Sequence, residues 1–201
     1  NESELESTYK KYVEKNGLDS VAVEIFFKLF NVWIGMYRLD KCEKELVRVE
    51  VVCGENNLVR VSQCWAFLKW KQGKYQEAMK YFKKMEELVG GSDELWENMA
   101  HTYSSMGQLD LAEEYFARCT NLSGGVLLGK GLLFERQGNL SGGLSVCLEA
   151  LNWYASRFSI ASGHCSSLEA KCSSSLARMY LERKNFCVAL LHANNAVNIF
   201  Y

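Results

Sequence analysis

The sequence contains no proline in 201 residues. Proline interrupts helices, because it lacks a backbone N–H and its ring collides with the preceding turn. The chain is also long enough to bury a substantial core, and 48% of its residues are hydrophobic. The absence of proline therefore favours an almost entirely helical protein.

An excess of charge of one sign is also missing, since 23 basic and 24 acidic residues leave a net charge of −1. Proteins that wrap nucleic acid or bind anionic membranes carry clustered positive charge. The most apolar run, residues 21–39, is interrupted by Glu24 and Lys28, so it predicts a core helix and not a membrane span. We therefore expect no nucleic-acid partner and no membrane insertion.

Paired cysteines are absent as well, although the chain has eight cysteines. None stands in a C-x-x-C pair, and most fall inside apolar helical patterns, where free cysteine behaves as a small buried hydrophobe. This pattern favours reduced thiols and a cytoplasmic location over a disulfide framework. Two N-x-S sequons, at Asn121 and Asn139, point the other way, but such tripeptides recur by chance.

Signatures of catalysis and of metal binding are also lacking. His101, His164 and His192 have no H-E-x-x-H or paired Cys/His spacing around them, and no G-x-S-x-G occurs. Residues 124–130 match the start of a phosphate-binding G-x-x-x-x-G-K loop, but Gly131 replaces the hydroxyl residue that would bind magnesium. The repeat pattern described next places this segment in a helix. We predict no catalytic residue, no cofactor, no metal site and no enzymatic activity.

The sequence does contain an internal repeat with a period of 34 residues. The equivalent positions are Trp65/Met99, Ala66/Ala100, Gly73/Gly107, Ala78/Ala112, Phe82/Phe116 and Met85/Cys119. Self-similarity of this period is typical of stacked helical hairpins. Glycine and alanine allow helices to cross closely, and aromatic side chains fill the space between hairpins.

Weaker copies extend the pattern on both sides of these two repeats. We expect five hairpins, with turns near Tyr37, Gly73, Gly107, Gly138 and Lys184. One continuous domain, 1–201, would comprise an N-terminal helix (1–17), a divergent repeat (18–54), two clear repeats (58–91 and 92–122), a repeat with an extended second helix or an insertion (123–170), and a terminal repeat (171–201). We expect the serine-rich segment 156–175 to be a mobile loop. The chain begins without methionine and ends inside an apolar helical pattern, which favours an excerpt of a larger protein.

This pattern resembles the tetratricopeptide repeat family over about residues 20–200. The best copy supplies Trp96, Met99, Ala100, Tyr103, Gly107, Leu109, Ala112 and Phe116. The resemblance implies an all-α, right-handed superhelical solenoid of about five hairpins. The proline that often follows the second helix in this family is missing, and Gly90 and Gly124 lie near two of those places.

The resemblance also implies where a partner would bind. Family members usually hold an extended or helical peptide in a concave groove lined by the first helix of each hairpin. That register places nine residues on the groove: Phe27, Asn31, Ile34, Arg60, Gln63, Phe67, Trp70, Glu97 and His101. Phe67 and Trp70 are the expected apolar anchors, unless they pack against a neighbouring segment of their own chain.

The implied function is that of an interaction scaffold or adaptor that binds a peptide or helix of a protein partner in a heteromeric complex. The family's chaperone-tail clamp is not expected, because only Asn98 fits its pattern. One alternative is a structural subunit of a multiprotein assembly, which contacts partners by its convex face and ends while its own chain fills the groove. A homodimer is a further possibility for the assembly state, and an RNA-binding repeat is disfavoured by the lack of a basic groove.

Overall fold

The computed structural model describes residues 2–54, 57–157 and 167–198, which form eleven α-helices and no β-strand. The helices are α1 (Glu2–Asn16), α2 (Ser20–Gly35), α3 (Leu39–Val52), α4 (Leu58–Lys71), α5 (Tyr75–Val89), α6 (Asp93–Ser105), α7 (Leu109–Arg118), α8 (Gly124–Arg136), α9 (Leu140–Arg157), α10 (Ser167–Glu182) and α11 (Phe186–Asn198). None of the described helices has the length and apolarity needed to cross a bilayer. The all-helical class predicted from the sequence is confirmed.

Five tight turns join α2 to α3, α4 to α5, α6 to α7, α8 to α9 and α10 to α11. The residue at the centre of each turn has a left-handed backbone, with φ of 57° at Tyr37, 75° at Gly73, 76° at Gly107, 79° at Gly138 and 58° at Lys184. The next N–H donates to the carbonyl five residues earlier, as from Lys74 to Lys69 at 2.9 Å. This bond ends one helix and lets the next begin at once. The five predicted hairpins and their turns are confirmed.

The chain divides into two compact units, residues 1–91 and residues 92–201. Unit 1 contains α1 to α5, and unit 2 contains α6 to α11. Hairpins 1 and 2 (α2/α3 and α4/α5) therefore lie in unit 1, and hairpins 3 to 5 lie in unit 2. A single continuous domain over 1–201 stays a prediction.

The core of unit 1 is built on the apolar face of α2. Phe26, Leu29 and Phe30 are almost completely buried, and they pack with Leu46 of α3 and Leu68 of α4. The aspartate before α2, Asp19, accepts hydrogen bonds from the first N–H groups of the helix, which fixes where α2 begins. Burial of these large side chains is the main force that holds the first three helices together.

Polar bonds join the two hairpins of unit 1 at the edge of this core. The Trp65 indole N–H donates to the Glu50 carboxylate at 2.9 Å. The buried Lys69 ammonium donates to Glu43 at 2.9 Å, so the charge of Lys69 is compensated. Both bonds connect α4 to α3, and they fix how hairpin 2 sits on hairpin 1.

The N-terminal helix α1 packs on hairpin 1. Tyr9 is buried, and its hydroxyl donates to Glu45 of α3 at 3.1 Å. The Glu6 carboxylate pairs with Lys41 of α3 at 2.8 Å and with Lys10 at 2.8 Å. Hydrogen bonds from these two lysines lower the pKa of Glu6 to about 2. The helix thus covers the apolar surface of α2 and α3 in unit 1.

The core of unit 2 contains two thiols that behave as small hydrophobes. Cys147 of α9 and Cys172 of α10 are fully buried, and they pack with Leu176 and Met179. Burial raises the pKa of both thiols to about 12. Among the described residues, none of the cysteines forms a disulfide. These thiols therefore stay protonated and unreactive at neutral pH.

Helix α8 approaches its hairpin partner closely because it lacks side chains at the contact. A Cβ atom on Gly131 would lie 2.4 Å from Cys147 Sγ and 3.3 Å from the carbonyl oxygen of Gly143. Gly143 of α9 faces Gly131 in turn, since its own Cβ would lie 3.1 Å from the Gly131 carbonyl oxygen. Two facing glycines thus allow the two backbones to touch. Residues 124–130 lie inside α8, as predicted, and form no phosphate loop.

The connection between hairpins 3 and 4 is short because it is fastened to the start of α6. The Asp93 carboxylate accepts hydrogen bonds from the backbone N–H groups of Thr120 at 2.9 Å and Asn121 at 2.8 Å. These bonds lower the pKa of Asp93. They also fasten the residues directly after α7 to the start of α6, at the place where the spacing between turn glycines, Gly107 and Gly138, is 31 residues instead of 34.

The prediction of a mobile loop over 156–175 is wrong for residues 167–175, which form the first half of α10. Ser173 and Ser175 are buried there against neighbouring helices. Small serines fit a close helix interface, so a serine-rich composition does not by itself indicate a loop. Residues 158–166, with His164 and Cys165, lie outside the described residues.

Candidate protein-interaction face

Seven of the nine predicted groove residues lie on α2 and α4, which are the first helices of hairpins 1 and 2. We call this surface the α2–α4 face, and it comprises Phe27, Asn31, Ile34, Arg60, Gln63, Phe67 and Trp70. The two helices are in contact within unit 1. Arg60 and Phe27 meet between the two helices, and the other five residues follow along each helix at spacings of three and four.

An arginine joins the two helices across this face. The Arg60 guanidinium of α4 donates both of its terminal N–H groups to the Glu24 carboxylate of α2, with Nη2 to Oε2 at 3.2 Å. Its hydrogen bonds lower the pKa of Glu24. The guanidinium also lies 4.0 Å from the centroid of the Phe27 ring. Arg60 is thus held flat and oriented while its outer surface stays exposed.

The two expected anchors, Phe67 and Trp70, are each half-buried. The Phe67 ring meets the Phe82 ring edge-on, with centroids 6.1 Å apart, and the Trp70 ring meets Tyr75 edge-on at 6.2 Å. Both contacts lie within hairpin 2. Each aromatic is therefore supported from behind by its own hairpin and keeps a part of its ring accessible.

The side chains of the other residues of the face differ in their exposure to solvent. Phe27 is 6% exposed, so it supports Arg60 and offers no free surface of its own. Ile34 packs partly on the core of unit 1, and Gln63 is half-buried. Asn31 is exposed. The accessible part of the face therefore combines two aromatic edges with an amide and a guanidinium.

An aromatic contact at the edge of this face was missed by reasoning from the sequence. The Lys71 ammonium lies 4.9 Å from the centroid of the Tyr37 ring and 5.6 Å from that of Trp70. Tyr37 is 66% exposed and was expected only as a turn residue. The sequence signal that could have revealed this contact is Tyr37 itself, a bulky residue at a turn position that glycine occupies in three other hairpins. Tyr37 extends the aromatic surface beyond Trp70.

The remaining two predicted residues, Glu97 and His101, lie on α6 in unit 2. They are half-buried and engaged internally: His101 meets the Phe116 ring edge-on at 5.2 Å, and Ser123 donates to Glu97 at 3.4 Å. Glycines of α8 make room for both, since a Cβ on Gly125 would lie 2.3 Å from the Glu97 Oε1 atom. These two residues belong to unit 2 and are not part of the α2–α4 face.

Unit 2 repeats the ion pair between first helices. Arg178 of α10 donates to Glu135 of α8, with Nη2 to Oε2 at 2.7 Å, and the pair is bidentate. Arg136 of α8 also donates to the carbonyl and hydroxyl of Ser104 of α6. An arginine between successive first helices is thus common to both units, whereas the half-exposed aromatic pair belongs to α4.

Comparison with known proteins agrees with the repeat pattern. Residues 69–121 match the family model of the tetratricopeptide repeat. A chain of the APC/C hetero-tetramer Cut9-Hcn1 has a similar fold, with a TM-score of 0.80 and 11% identity over 99% of this chain. Our chain covers 37% of that chain, so it spans well under half of its length.

Two shorter proteins are similar over most of their own length. BtubC from P. vanneervenii has a TM-score of 0.67 and 14% identity over 98% of this chain and 89% of that chain. YrrB, described as a TPR protein with an unusual peptide-binding site, has a TM-score of 0.53 and 16% identity over 95% and 91%. At these identities the similarity shows the fold alone. No curated protein sequence matches this chain.

Together, the repeat model and the structural neighbours confirm the resemblance to tetratricopeptide repeat proteins and the hairpin-solenoid fold. The resemblance of sequence is strongest over residues 69–121, and the resemblance of fold covers nearly the whole chain. This fold serves in general as a scaffold for protein–protein interactions.

Proposed function

We propose that this chain is a cytoplasmic scaffold or adaptor of a heteromeric complex, which binds a peptide or helix of a partner protein on the α2–α4 face. The observation that carries this proposal is the pair Phe67 and Trp70, half-exposed on a surface that also presents Asn31 and Arg60. Aromatic residues with a polar rim are the usual composition of a binding hot spot.

The support behind the two aromatics makes them suitable anchors. Phe82 and Tyr75 hold the rings of Phe67 and Trp70 in place before any partner arrives. A pre-positioned ring loses little side-chain entropy when a partner covers it, so more of the burial energy appears as affinity. Arg60 is fixed by Glu24, and its guanidinium can donate to a partner's carbonyl or carboxylate oxygen without reordering.

The solved structures with this fold support an interaction function. YrrB is described as having a peptide-binding site, and the Cut9-Hcn1 structure is a hetero-tetramer. Those descriptions belong to those proteins. They make peptide binding and assembly the two functions to test first in this chain.

The proposal assigns no catalysis to this chain. His101 is engaged with Phe116, and His192 is buried against Tyr180, so each has a structural environment. Within the described ranges, no cluster of His, Cys, Asp or Glu side chains is arranged to hold a metal ion. The proposed activity is therefore binding alone, without a cofactor.

The first test is capture of partners from native lysate by the wild-type chain and by the Phe67→Ala/Trp70→Ala variant. Trp153→Ala is the matched control, because Trp153 is a half-buried tryptophan that packs on Tyr154 in unit 2. We expect a partner that the double variant loses and the control retains. Identical partner sets for all three proteins would show that Phe67 and Trp70 of the α2–α4 face do not contribute to partner binding.

A second candidate function is a structural subunit that contacts its partners through the second helices of the hairpins. Val47, Val51 and Val52 of α3 are 49%, 84% and 49% exposed, which is unusual for three neighbouring valines on one helix. Val47→Lys/Val51→Lys would then release the partner while Phe67→Ala/Trp70→Ala retained it. The opposite pattern supports the α2–α4 face.

A further inference from the structure

Helix α4 is the most basic of the described helices. It carries Arg60, Lys69 and Lys71 and no acidic residue, in a chain whose net charge is −1. Helix α2 adds Lys28 and one carboxylate, that of Glu24. The two helices that form the α2–α4 face therefore carry more positive than negative charge.

Two of these cations are already compensated within the chain. Lys69 is buried and pairs with Glu43 at 2.9 Å and with Glu77 at 3.7 Å. Arg60 pairs with Glu24, so the one carboxylate of α2 is occupied. These two pairs alone would not select a partner of either charge.

Lys28 and Lys71 are the cations without a carboxylate. Neither forms an ion pair with a residue in the described ranges. Lys28 is exposed and lies one helical turn after Glu24 on α2. Lys71 is half-buried, and the rings of Tyr37 and Trp70 hold its ammonium at the edge of the face. An uncompensated positive charge therefore lies beside one of the two aromatic anchors.

The same arrangement disfavours a basic partner. Tyr37 and Trp70 could receive the lysine or arginine of a partner on their rings, but Lys71 already occupies this place. A second cation there would be repelled by the charge of Lys71. A partner carboxylate would meet no such repulsion, because Glu24 is paired with Arg60.

We propose that the partner segment bound on the α2–α4 face is acidic. Its Asp or Glu side chains pair with Lys28 and Lys71, and its apolar side chains cover the two aromatic anchors. This inference rests on the proposed function, because it names the chemistry of the partner at the same site. Charge complementarity of this kind selects among partners and speeds their association.

The positions of the cations along α4 give a spacing for the partner. Lys71 lies about three helical turns after Arg60, which is about 16 Å along the helix axis. An extended peptide covers that distance in about five residues. Arg60 has N–H groups that Glu24 does not use, so it can bind a further carboxylate. A segment that runs along α4 would therefore carry two acidic residues about five positions apart, with apolar residues between them.

A protein segment suits this face better than a nucleic acid does. A nucleic acid needs a row of cations along its phosphates and open aromatic faces for its bases. The face has two uncompensated lysines at its border, and its aromatic rings are half-buried within hairpin 2. Acidic and apolar side chains in one peptide match both features.

Affinity selection from a synthetic peptide library tests the inference. The peptides are about twelve residues long, to exceed the expected span, and contain Glu, Gln, Lys, Leu, Phe and Ser in random order. An amide at the C-terminus ensures that every carboxylate belongs to a side chain. We expect the peptides retained by the wild-type chain to be enriched in Glu together with Leu or Phe, and depleted in Lys.

Charge reversal on the protein shows whether the lysines cause this preference. Lys28→Glu/Lys71→Glu should weaken the affinity for the selected peptides about tenfold or more, as measured by fluorescence anisotropy. Lys80→Glu/Lys84→Glu is the matched control, because it makes the same change of charge on two exposed lysines of α5. This control should leave the affinity within about twofold of the wild-type value, since its charges lie outside the face.

Reversing the charges on both sides provides a second test. Peptides in which Lys replaces every selected Glu should bind Lys28→Glu/Lys71→Glu more tightly than they bind the wild-type chain. Thermal melts verify that this variant is folded. If it unfolds, Lys28→Glu alone replaces it, because Lys28 is exposed.

The outcomes separate this inference from the proposed function. Retained peptides without a preference for Glu, a library from which the wild-type chain retains nothing, or tighter binding of a single-stranded RNA than of any peptide would overturn the acidic partner. Retained peptides without that preference would still support the proposed function if Phe67→Ala/Trp70→Ala loses them. Peptides that this double variant binds as tightly as the wild-type chain would overturn both proposals.

Discussion

Helices α4 and α8 occupy the same place in their hairpins, yet they pack in opposite ways. α4 presents large side chains to its neighbours, among them Trp65, Phe67 and Trp70. α8 presents glycines, and side chains of the surrounding helices occupy the space, as Cys147 does at Gly131 and Glu97 does at Gly125. The same hairpin geometry is therefore compatible with a first helix that packs through large side chains and with one that packs through glycines.

The difference has a consequence for function. A helix that packs through glycines has few side chains left to project toward a partner, because its neighbours already fill its surface. A helix that packs through tryptophans can bury one ring and leave another half-exposed. This difference supports the proposal that a partner binds α4, and it makes α8 a structural element within unit 2.

The largest expected effect separates the two tryptophans of α4. Trp65 is 7% exposed and donates to Glu50, so Trp65→Ala should reduce the free energy of unfolding by about 3–5 kcal/mol. Trp70 is half-buried, so Trp70→Ala should cost about 1 kcal/mol of stability and about 2 kcal/mol or more of partner affinity. Urea unfolding and titration calorimetry measure the two quantities. A Trp70→Ala protein that unfolds would place Trp70 in the core and contradict the proposed face.

The next effect concerns the glycine contact of α8. Gly131→Ala should reduce the free energy of unfolding by about 2 kcal/mol, because the added methyl group meets Cys147 and the backbone of α9. In an open helix the same substitution gains stability. Gly35→Ala is the control, since nothing lies within 4 Å of a Cβ at Gly35 of α2. Equal urea midpoints for the two variants would show that α8 and α9 are not in close contact.

A smaller effect is expected at the turns. Gly107→Ala should reduce the free energy of unfolding by about 1 kcal/mol, because φ at Gly107 is 76°. No neighbouring atom lies within 4 Å of the new Cβ, so this loss comes from the backbone conformation and not from a clash. Lys184→Gly, at the equivalent turn with φ of 58°, should not reduce stability in this way. Thermal melts of both variants measure the difference. A loss at Lys184 that equals the loss at Gly107 would contradict the role of backbone conformation.

The smallest expected effect is a pH dependence from His192. Burial lowers the pKa of His192, and its Nδ1 atom has no hydrogen-bond partner among the described residues. The unfolded chain then binds a proton more readily than the folded chain. The free energy of unfolding should therefore be constant above pH 6.5 and should fall as pH drops from 6.5 toward the lower pKa of the folded state. His192→Phe keeps a ring on Tyr180 and should remove the part of the pH dependence that His192 contributes. Urea midpoints between pH 5 and pH 8, about the range in which histidine titrates, measure this. An identical profile for the two proteins would rule out His192 as its source.

The hairpins were predictable from the sequence because their signals are local. A glycine followed five residues later by alanine, as Gly73 is by Ala78, marks the turn and the small contact residue within a few positions of each other. Apolar spacing then gives the helices on either side. The glycine–alanine pair located the turns at Gly73 and Gly107, and the apolar spacing of the weaker copies located those at Tyr37, Gly138 and Lys184.

The details of the candidate face were not predictable in the same way, because they depend on residues distant in sequence. Phe27 is buried under Arg60, and Arg60 is oriented by Glu24, which is 36 positions away. A register transferred from a family places a residue on a helix face. It does not tell whether a neighbouring helix covers that residue, as happens for Phe27.

The most direct test of the central claim is hydrogen–deuterium exchange of the chain with and without its captured partner. The account predicts that bound partner slows amide exchange in α2 (Ser20–Gly35) and α4 (Leu58–Lys71) and leaves α8 (Gly124–Arg136) unchanged. Protection confined to α3 or α8, with α2 and α4 unaffected, would contradict it.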